Sequence, residues 1–184
     1  MSAPVASGRV ILDEDQLGRT LRRVAHEIVE KHADLDQLAL VGIYTRGAVL
    51  AERLRDLIEQ FTGRSVPTGA LDISFYRDDV RIHPQPVVKA TRLDFPIDGR
   101  SVVLVDDVLF TGRTIRAAIE ALFDYGRPER VQLAVLVDRG HRELPIRPDY
   151  VGKNVPTARS ERVNVNLEEA DEVDRVLLLD RGEE

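Results

Sequence analysis

Residues 102–114 read Val-Val-Leu-Val-Asp-Asp-Val-Leu-Phe-Thr-Gly-Arg-Thr. Four consecutive aliphatics without alternation describe a strand buried on both faces, the habit of a parallel sheet covered by helices. The Thr111-Gly112-Arg113-Thr114 turn then opens an amphipathic stretch that runs to about Tyr125-Gly126. A strand, a turn and a helix in this order commit the chain to an α/β architecture, because parallel strands need a crossover. Open α/β sheets bind ligands outside the carboxyl ends of their strands, which is where Asp106 and Asp107 fall. The uncapped N–H groups and positive dipole end of the following helix make an anion seat. Two carboxylates would repel a phosphate, but they suit hydroxyls beside one, as on a ribose 5-phosphate. Taken alone, the segment also allows a phosphate-free strand–turn–helix, or an acidic metal pocket of the response-regulator kind.

The rest of the chain supports one α/β domain over residues 1–184. Leu12-Asp13 signals the start of a helix reaching about His32, with Leu17, Leu21, Val24 and Ile28 on one face. Arg19, Arg22, Arg23 and His26 fall on the opposite face at the same spacing, a basic stripe that a solvated helix surface would also explain. Leu38–Tyr44 reads as a buried strand, Gly47–Phe61 as a helix ended by Thr62-Gly63, and Val66–Tyr76 as a strand. The polar, proline-containing stretch 77–98 reads as a long loop of lid size. Val131–Val137 is a further buried strand, Asp138–Ser160 reads as basic and irregular, and Val163–Leu167 and Val176–Leu179 are late strands. The alternation of apolar strands and helices predicts a single α/β domain with a mainly parallel sheet.

Charge and composition exclude several classes. There are no cysteines, so disulfides and cysteine-based metal sites or nucleophiles are out. No apolar run approaches the roughly 18 residues of a membrane span and no secretory signal opens the chain, so a cytoplasmic protein without a membrane partner is expected. The net charge of −6 argues against indiscriminate nucleic-acid binding. It is unevenly spread: residues 163–184 hold eight acids against two arginines, while residues 139–162 hold six Lys/Arg against three acids. An acidic protein with a local basic face is therefore expected.

A second strand-to-helix turn, Val41-Gly42-Ile43-Tyr44-Thr45-Arg46-Gly47-Ala48, carries Arg46, whose planar donor fork suits a pyrophosphate. By itself Thr45-Arg46-Gly47 is equally a capping turn. In the lid stretch, Arg77, Lys89 and Arg92 are candidates for following a pyrophosphate, or members of a solvated surface loop.

The segment 102–114 closely resembles the phosphoribosyl pyrophosphate (PRPP) motif of type I phosphoribosyltransferases, and Thr45-Arg46-Gly47 precedes it in that family's order. The resemblance implies that Val108, Leu109, Phe110, Thr111, Gly112, Arg113 and Thr114 surround the 5-phosphate, while Asp106 and Asp107 take the ribose hydroxyls. It implies a twisted, mainly parallel sheet flanked by helices with a small hood from the N-terminal segment and about 139–184. It also implies catalysis by Asp106, Asp107 and Arg46 under a flexible lid, and Mg2+ held mainly by substrate oxygens and water beside Asp106 and Asp107. Purine-salvage members place a carboxylate three residues after the second acid; here that position is Phe110. The base is then expected against Val137, Asp138 and Arg139, where backbone groups can read a pyrimidine edge.

The stretch Val135–Thr157, with Ile11-Leu-Asp-Glu, Arg23-Val-Ala-His-Glu and Asp72-Ile-Ser-Phe-Tyr-Arg-Asp-Asp79, resembles one branch of that family from about residue 9 to 180. This branch comprises bifunctional regulators of the pyrimidine operon that are also uracil phosphoribosyltransferases. The resemblance implies conversion of uracil and PRPP to UMP and diphosphate. It also implies binding of a stem-loop in the pyr mRNA leader, with UMP or UTP as co-regulator. The RNA face it implies includes Arg22, Arg23, His26, His141, Arg142, Arg147 and Lys153, built on a homodimer or a multiple of dimers. Two alternatives stay open at this point: a nucleotide-sensing regulator without significant activity, and a salvage enzyme without RNA binding.

Overall fold

The structure is a computed structural model and describes residues 8–78 and 89–180. The chain opens with β1 (Arg9–Leu12) and turns at Asp13 into α1 (Glu14–Lys31). Asp13 accepts the Gln16 N–H and the Gln16 side chain accepts the Asp13 N–H, a reciprocal cap that satisfies two otherwise orphaned donors. Then follow β2 (Leu38–Ile43), α2 (Arg46–Thr62), β3 (Thr68–Leu71), β4 (Ser101–Leu109), α3 (Arg113–Phe123) and β5 (Arg130–Asp138). The chain ends with β6 (Tyr150–Asn154), β7 (Arg162–Asn166), the single turn α4 (Glu168–Asp171) and β8 (Arg175–Leu179).

Five strands form an all-parallel sheet in the order β3-β2-β4-β5-β6. Side chains alternate between its two faces. Leu38, Leu40, Val103 and Val105 point to the α1–α2 side, whereas Ala39, Val41, Ile43, Val102 and Leu104 point to the α3 side. Each face therefore has its own apolar layer, which explains why β2 reads as an unbroken aliphatic run. A second, antiparallel sheet of order β1-β8-β7 joins the two ends of the chain and sits, with α4, against α2. Residues 139–161 are not in that small sheet: they return to the main sheet through β6 and its pairing with β5. Among the described residues no helix is long and apolar enough to cross a membrane.

Two expectations need correcting. The strand expected over Val66–Tyr76 is confined to Thr68–Leu71. Asp72 stops it by accepting both the Ser74 N–H and hydroxyl at 2.8 and 2.5 Å, and the Tyr76 N–H to Ile73 carbonyl bond closes a turn. Conversely, Asp138–Ser160 is not wholly irregular, because β6 lies within it. Tyr150, fully buried, anchors that edge strand, and its hydroxyl donates to Gln132 at 3.1 Å. The lid stretch is described only at its two roots, and its residues 79–88 lie outside the described residues.

Candidate active site

β4 delivers Asp106 and Asp107 to its carboxyl end. Asp106 is buried and its Oδ1 accepts the Asp107 N–H at 2.9 Å, while Asp107 Oδ1 accepts the Val108 N–H at 2.8 Å. Burial, followed by the neighbouring Asp107 charge, holds the Asp106 carboxyl well above the usual carboxylate range. A pair of unlike carboxyls results, Asp106 buried and Asp107 half-buried.

The next turn is shaped for an anion. Gly112 has φ +93°, a left-handed conformation that costs an L side chain, and it begins α3 without a side-chain cap. Thr111 Oγ1 accepts the Arg113 N–H at 3.3 Å. Val108–Ile115 with Arg77 line a cleft of about 260 Å³, so the first root of the stretch 77–98 lies beside the turn before α3. Arg113 donates to Asp78 at 2.7 Å, a second link between that root and the loop.

Arg46 begins α2 across from these acids. A Cβ on Gly47 would stand 2.4 Å from the Val105 carbonyl, so only glycine lets α2 start this close to Asp106. Arg46 makes a bidentate pair with Asp171 of α4, Nη2 to Oδ1 at 2.6 Å and Nε to Oδ2 at 3.1 Å. Asp171's hydrogen bond, with the charges of Asp171 and Asp107, raises the already high pKa of the guanidinium, although burial opposes this. The Tyr44–Thr45 peptide before it is cis. Lys89, at the second root of the lid, donates to Thr45 Oγ1 at 3.1 Å and lies over the Tyr44 ring. Arg92 is placed elsewhere: it pairs with Glu52 on the outer face of α2 while its backbone bridges Ala70.

The other end of the cleft is built on Phe110. The Arg139 guanidinium lies 4.0 Å from the Phe110 ring centroid and the His141 ring meets it edge-on at 5.8 Å. Arg139 is buried and donates to Thr157 Oγ1 and the Ala158 carbonyl, each at 3.1 Å. Its burial lowers its pKa, partly opposed by Glu161. His141 Nε2 lies 2.6 Å from the Thr157 carbonyl. Arg142 donates to Asp138 at 2.5 Å, to the Phe110 carbonyl at 2.9 Å and to the Ile146 carbonyl at 3.0 Å. Val137 closes the floor in the core. Thr157, 18 residues from Arg139, had no signal in the sequence, and neither did Asp171.

The basic residues are spread over three places. On α1, Arg22 and His26 pack on Phe61 of α2, the His26 ring stacked at 3.7 Å. Arg23 donates to the carbonyls of Val151 and Gly152, and Lys153 reaches the Ile11 carbonyl at 3.4 Å. Arg19, Arg23 and Lys153 thus flank one open groove of about 350 Å³. Arg147 is exposed and lines a separate open cleft with Arg142, Pro148 and Asn154. His141 and Arg142 belong to the Phe110 end of the pocket, with Arg142 linking it to Ile146 next to Arg147.

An uncapped helix start, two adjacent carboxyls at the end of a strand and an arginine beginning a neighbouring helix thus share the carboxyl end of the parallel sheet. Residues 9–171 match the profile of the Phosphoribosyl transferase domain, and the chain belongs to this family. It is 57% identical over 171 residues to the bifunctional protein PyrR of Acetivibrio thermocellus, covering 92% of this chain and 93% of the relative. It is 56% identical over 181 residues to the bifunctional protein PyrR of Deinococcus deserti, covering 98% and 97%. Among solved structures, a hypoxanthine phosphoribosyltransferase of Trypanosoma cruzi in a ternary substrates complex superposes with a TM-score of 0.74. That match is 20% identical and covers 96% of this chain and 97% of the other, so it shares the fold.

Proposed function

We propose that this protein is a uracil phosphoribosyltransferase that also binds a pyr mRNA leader stem-loop, with UMP or UTP as co-regulator. The observation that carries the reading is the adjacency of Asp106 and Asp107 to the uncapped, glycine-initiated start of α3, with Arg46 facing them from α2. PRPP would seat its 5-phosphate on Thr111–Thr114, its ribose hydroxyls on Asp106 and Asp107, and its pyrophosphate along Thr45–Gly47. Uracil would lie toward Phe110, Val137, Asp138 and Arg139. No base of the purine-salvage kind stands at Phe110, whose ring serves instead as a wall.

The reaction needs no protein nucleophile. Uracil N1 bonds to ribose C1 as pyrophosphate leaves with the electrons of the C1–O bond and the N1 proton is released. The chain's contribution is positioning and fixed charge around an oxocarbenium-like transition state. Among the described residues, no three His, Cys, Asp or Glu side chains are grouped to hold a metal by themselves. The donor set fits a magnesium that arrives on PRPP, with Asp106 and Asp107 available to its water ligands; when bound it neutralises charge on the leaving pyrophosphate. Arg77, which lines the cleft beside Thr111–Thr114, and Lys89, bonded to Thr45, support a reading in which the lid follows the substrate's phosphates; Arg92 pairs with Glu52.

For RNA, the surface around Arg19, Arg22, Arg23, His26 and Lys153 supplies salt-dependent phosphate contacts, with Arg147 further along and a dimer or multiple of dimers extending it. Uracil-dependent release of pyrophosphate from PRPP tests the enzyme; turnover no greater than that of Asp107→Asn would refute it. Gel shifts with a pyr leader stem-loop, with and without UMP, test the regulator. RNA affinity unchanged in Lys153→Ala at moderate salt would remove this face.

A further inference from the structure

We infer that Asp171 is a positioning residue for the pyrophosphate of PRPP, holding the Arg46 fork at the mouth of the site; this rests on the phosphoribosyltransferase reading above. The residue comes from the acidic end of the chain, which neither catalysis nor RNA binding otherwise uses. Its carboxylate takes Nε and Nη2 of Arg46 at 3.1 and 2.6 Å. A guanidinium has two bidentate edges. The Nε–Nη2 edge is spent on Asp171, so the Nη1–Nη2 edge remains for a second planar or phosphate partner. Arg46 stays a third exposed while Asp171 is half as exposed, so the pair has an anchored member and a presented one.

The anchor is itself fixed. Asp171 Oδ2 accepts the Leu167 N–H at 2.9 Å and the Asp171 N–H donates to the Leu167 carbonyl at 2.7 Å, so the carboxylate is locked to the one-turn helix α4. Seven residues along α2 from Arg46, on the same face, Arg53 donates to Asp174 at 2.7 and 2.8 Å and to Glu169. These bonds pin the acidic turn to α2 independently of Arg46. A long arginine at a pyrophosphate site would otherwise have to be ordered by each incoming substrate. Here folding orders it, and the entropy is already lost when PRPP arrives. Asp171 is therefore not a competitor for pyrophosphate but the support behind the residue that receives it.

The reasoning separates PRPP from UMP, because UMP carries the 5-phosphate and the base but no pyrophosphate. Isothermal titration of the full chain with Mg-PRPP and with UMP gives the test, using Asp171→Ala, Asp171→Asn and, as a control, Asp174→Ala. Asp171→Ala is expected to weaken PRPP by roughly ten- to a hundred-fold, the range for a misplaced binding group, and to leave UMP within about two-fold. Asp171→Asn is expected to lie between, since an amide oxygen still accepts one bond. Steady-state kinetics should show the loss in the KM for PRPP, with the KM for uracil unchanged. Asp174→Ala should lower thermal stability without altering the PRPP-to-UMP ratio. Equal weakening of PRPP and UMP in Asp171→Ala, or the same ratio change in Asp174→Ala, would show that the hood merely holds the fold and would overturn the inference. So would PRPP affinity unchanged from wild type. A wild-type chain that binds UMP but not PRPP would overturn the enzyme reading together with it.

Discussion

Replacing Arg139 with alanine tests how the base end of the pocket is held together. The side chain is buried, with three partners: the Phe110 ring at 4.0 Å, Thr157 Oγ1 at 3.1 Å and the Ala158 carbonyl at 3.1 Å. Each hydrogen bond from a charged donor contributes about 1.5–3 kcal/mol, and a desolvated cation on an aromatic face about 2 kcal/mol. Against this, alanine removes a buried cation, whose desolvation costs several kcal/mol and already lowers the pKa of Arg139. The balance is a loss of about 3 kcal/mol, which in a chain of this size lowers Tm by roughly 6–12 °C. Because the same contacts fix residues 157–158 to Phe110, UMP affinity should fall with stability, while binding of inorganic phosphate at Thr111–Thr114 should not change. Arg139→Lys should recover less than half of either loss, since an ammonium cannot span both acceptors and stack. Differential scanning calorimetry paired with UMP and phosphate titrations decides it. A Tm within about 2 °C of wild type, or parallel loss of phosphate and UMP, would refute the reasoning.

Gly112→Ala forces φ +93° on an L residue and brings a Cβ to 3.0 Å from Ile146; it should cost about 1–2 kcal/mol and weaken UMP through the 5-phosphate. Tyr150→Phe removes the bond to Gln132 and should cost about 1 kcal/mol, seen as a Tm lower by roughly 2–4 °C. The Tyr150 phenol, pushed up to about 12 by burial, should stay un-ionised in a spectrophotometric titration until well above the usual tyrosine range. Arg53 and Arg46 hold Glu169, Asp171 and Asp174 below the usual carboxylate range. Depressed folded values mean that this stability is present above the unfolded values near pH 4 and is lost as pH falls through the folded ones. Acid unfolding should therefore begin in the hood, and Asp174→Asn should flatten that limb of the stability profile. On the acid side of the rate profile the sign is opposite in origin: Asp106, held high, should gain its proton above the ordinary carboxylate range and limit kcat/KM there.

How much could be read from the chain depended on the distance between partners. The strand, the adjacent Asp106 and Asp107, the Gly112 turn and the helix after it are contiguous, so apolar period, chain reversal and helix capping describe them without any tertiary knowledge. The capped start of α1 and its apolar stripe are local in the same sense. Short elements fared worse. The strand expected through Val66–Tyr76 is shorter because Asp72 closes a turn through its own side chain, and β6 escapes the pattern because a five-residue edge strand ending Gly-Lys-Asn has little period of its own.

By itself the sequence determines a strand–turn–helix with two adjacent carboxylates on a parallel sheet, since each of these groups follows its neighbour along the chain. Only the tertiary structure decided what the acidic end of the chain is for. Antiparallel pairing of β1, β8 and β7 folds the end of the chain back over α2, where Asp171 meets Arg46 across 125 residues of sequence. Likewise His141 and Arg142, expected on a basic face, are tied by Thr157, Asp138 and the Phe110 carbonyl to the turn after β4. Ion pairs and side-chain stacks act over a few ångströms, and which residues come that close is set by sheet order and crossover, not by spacing along the chain.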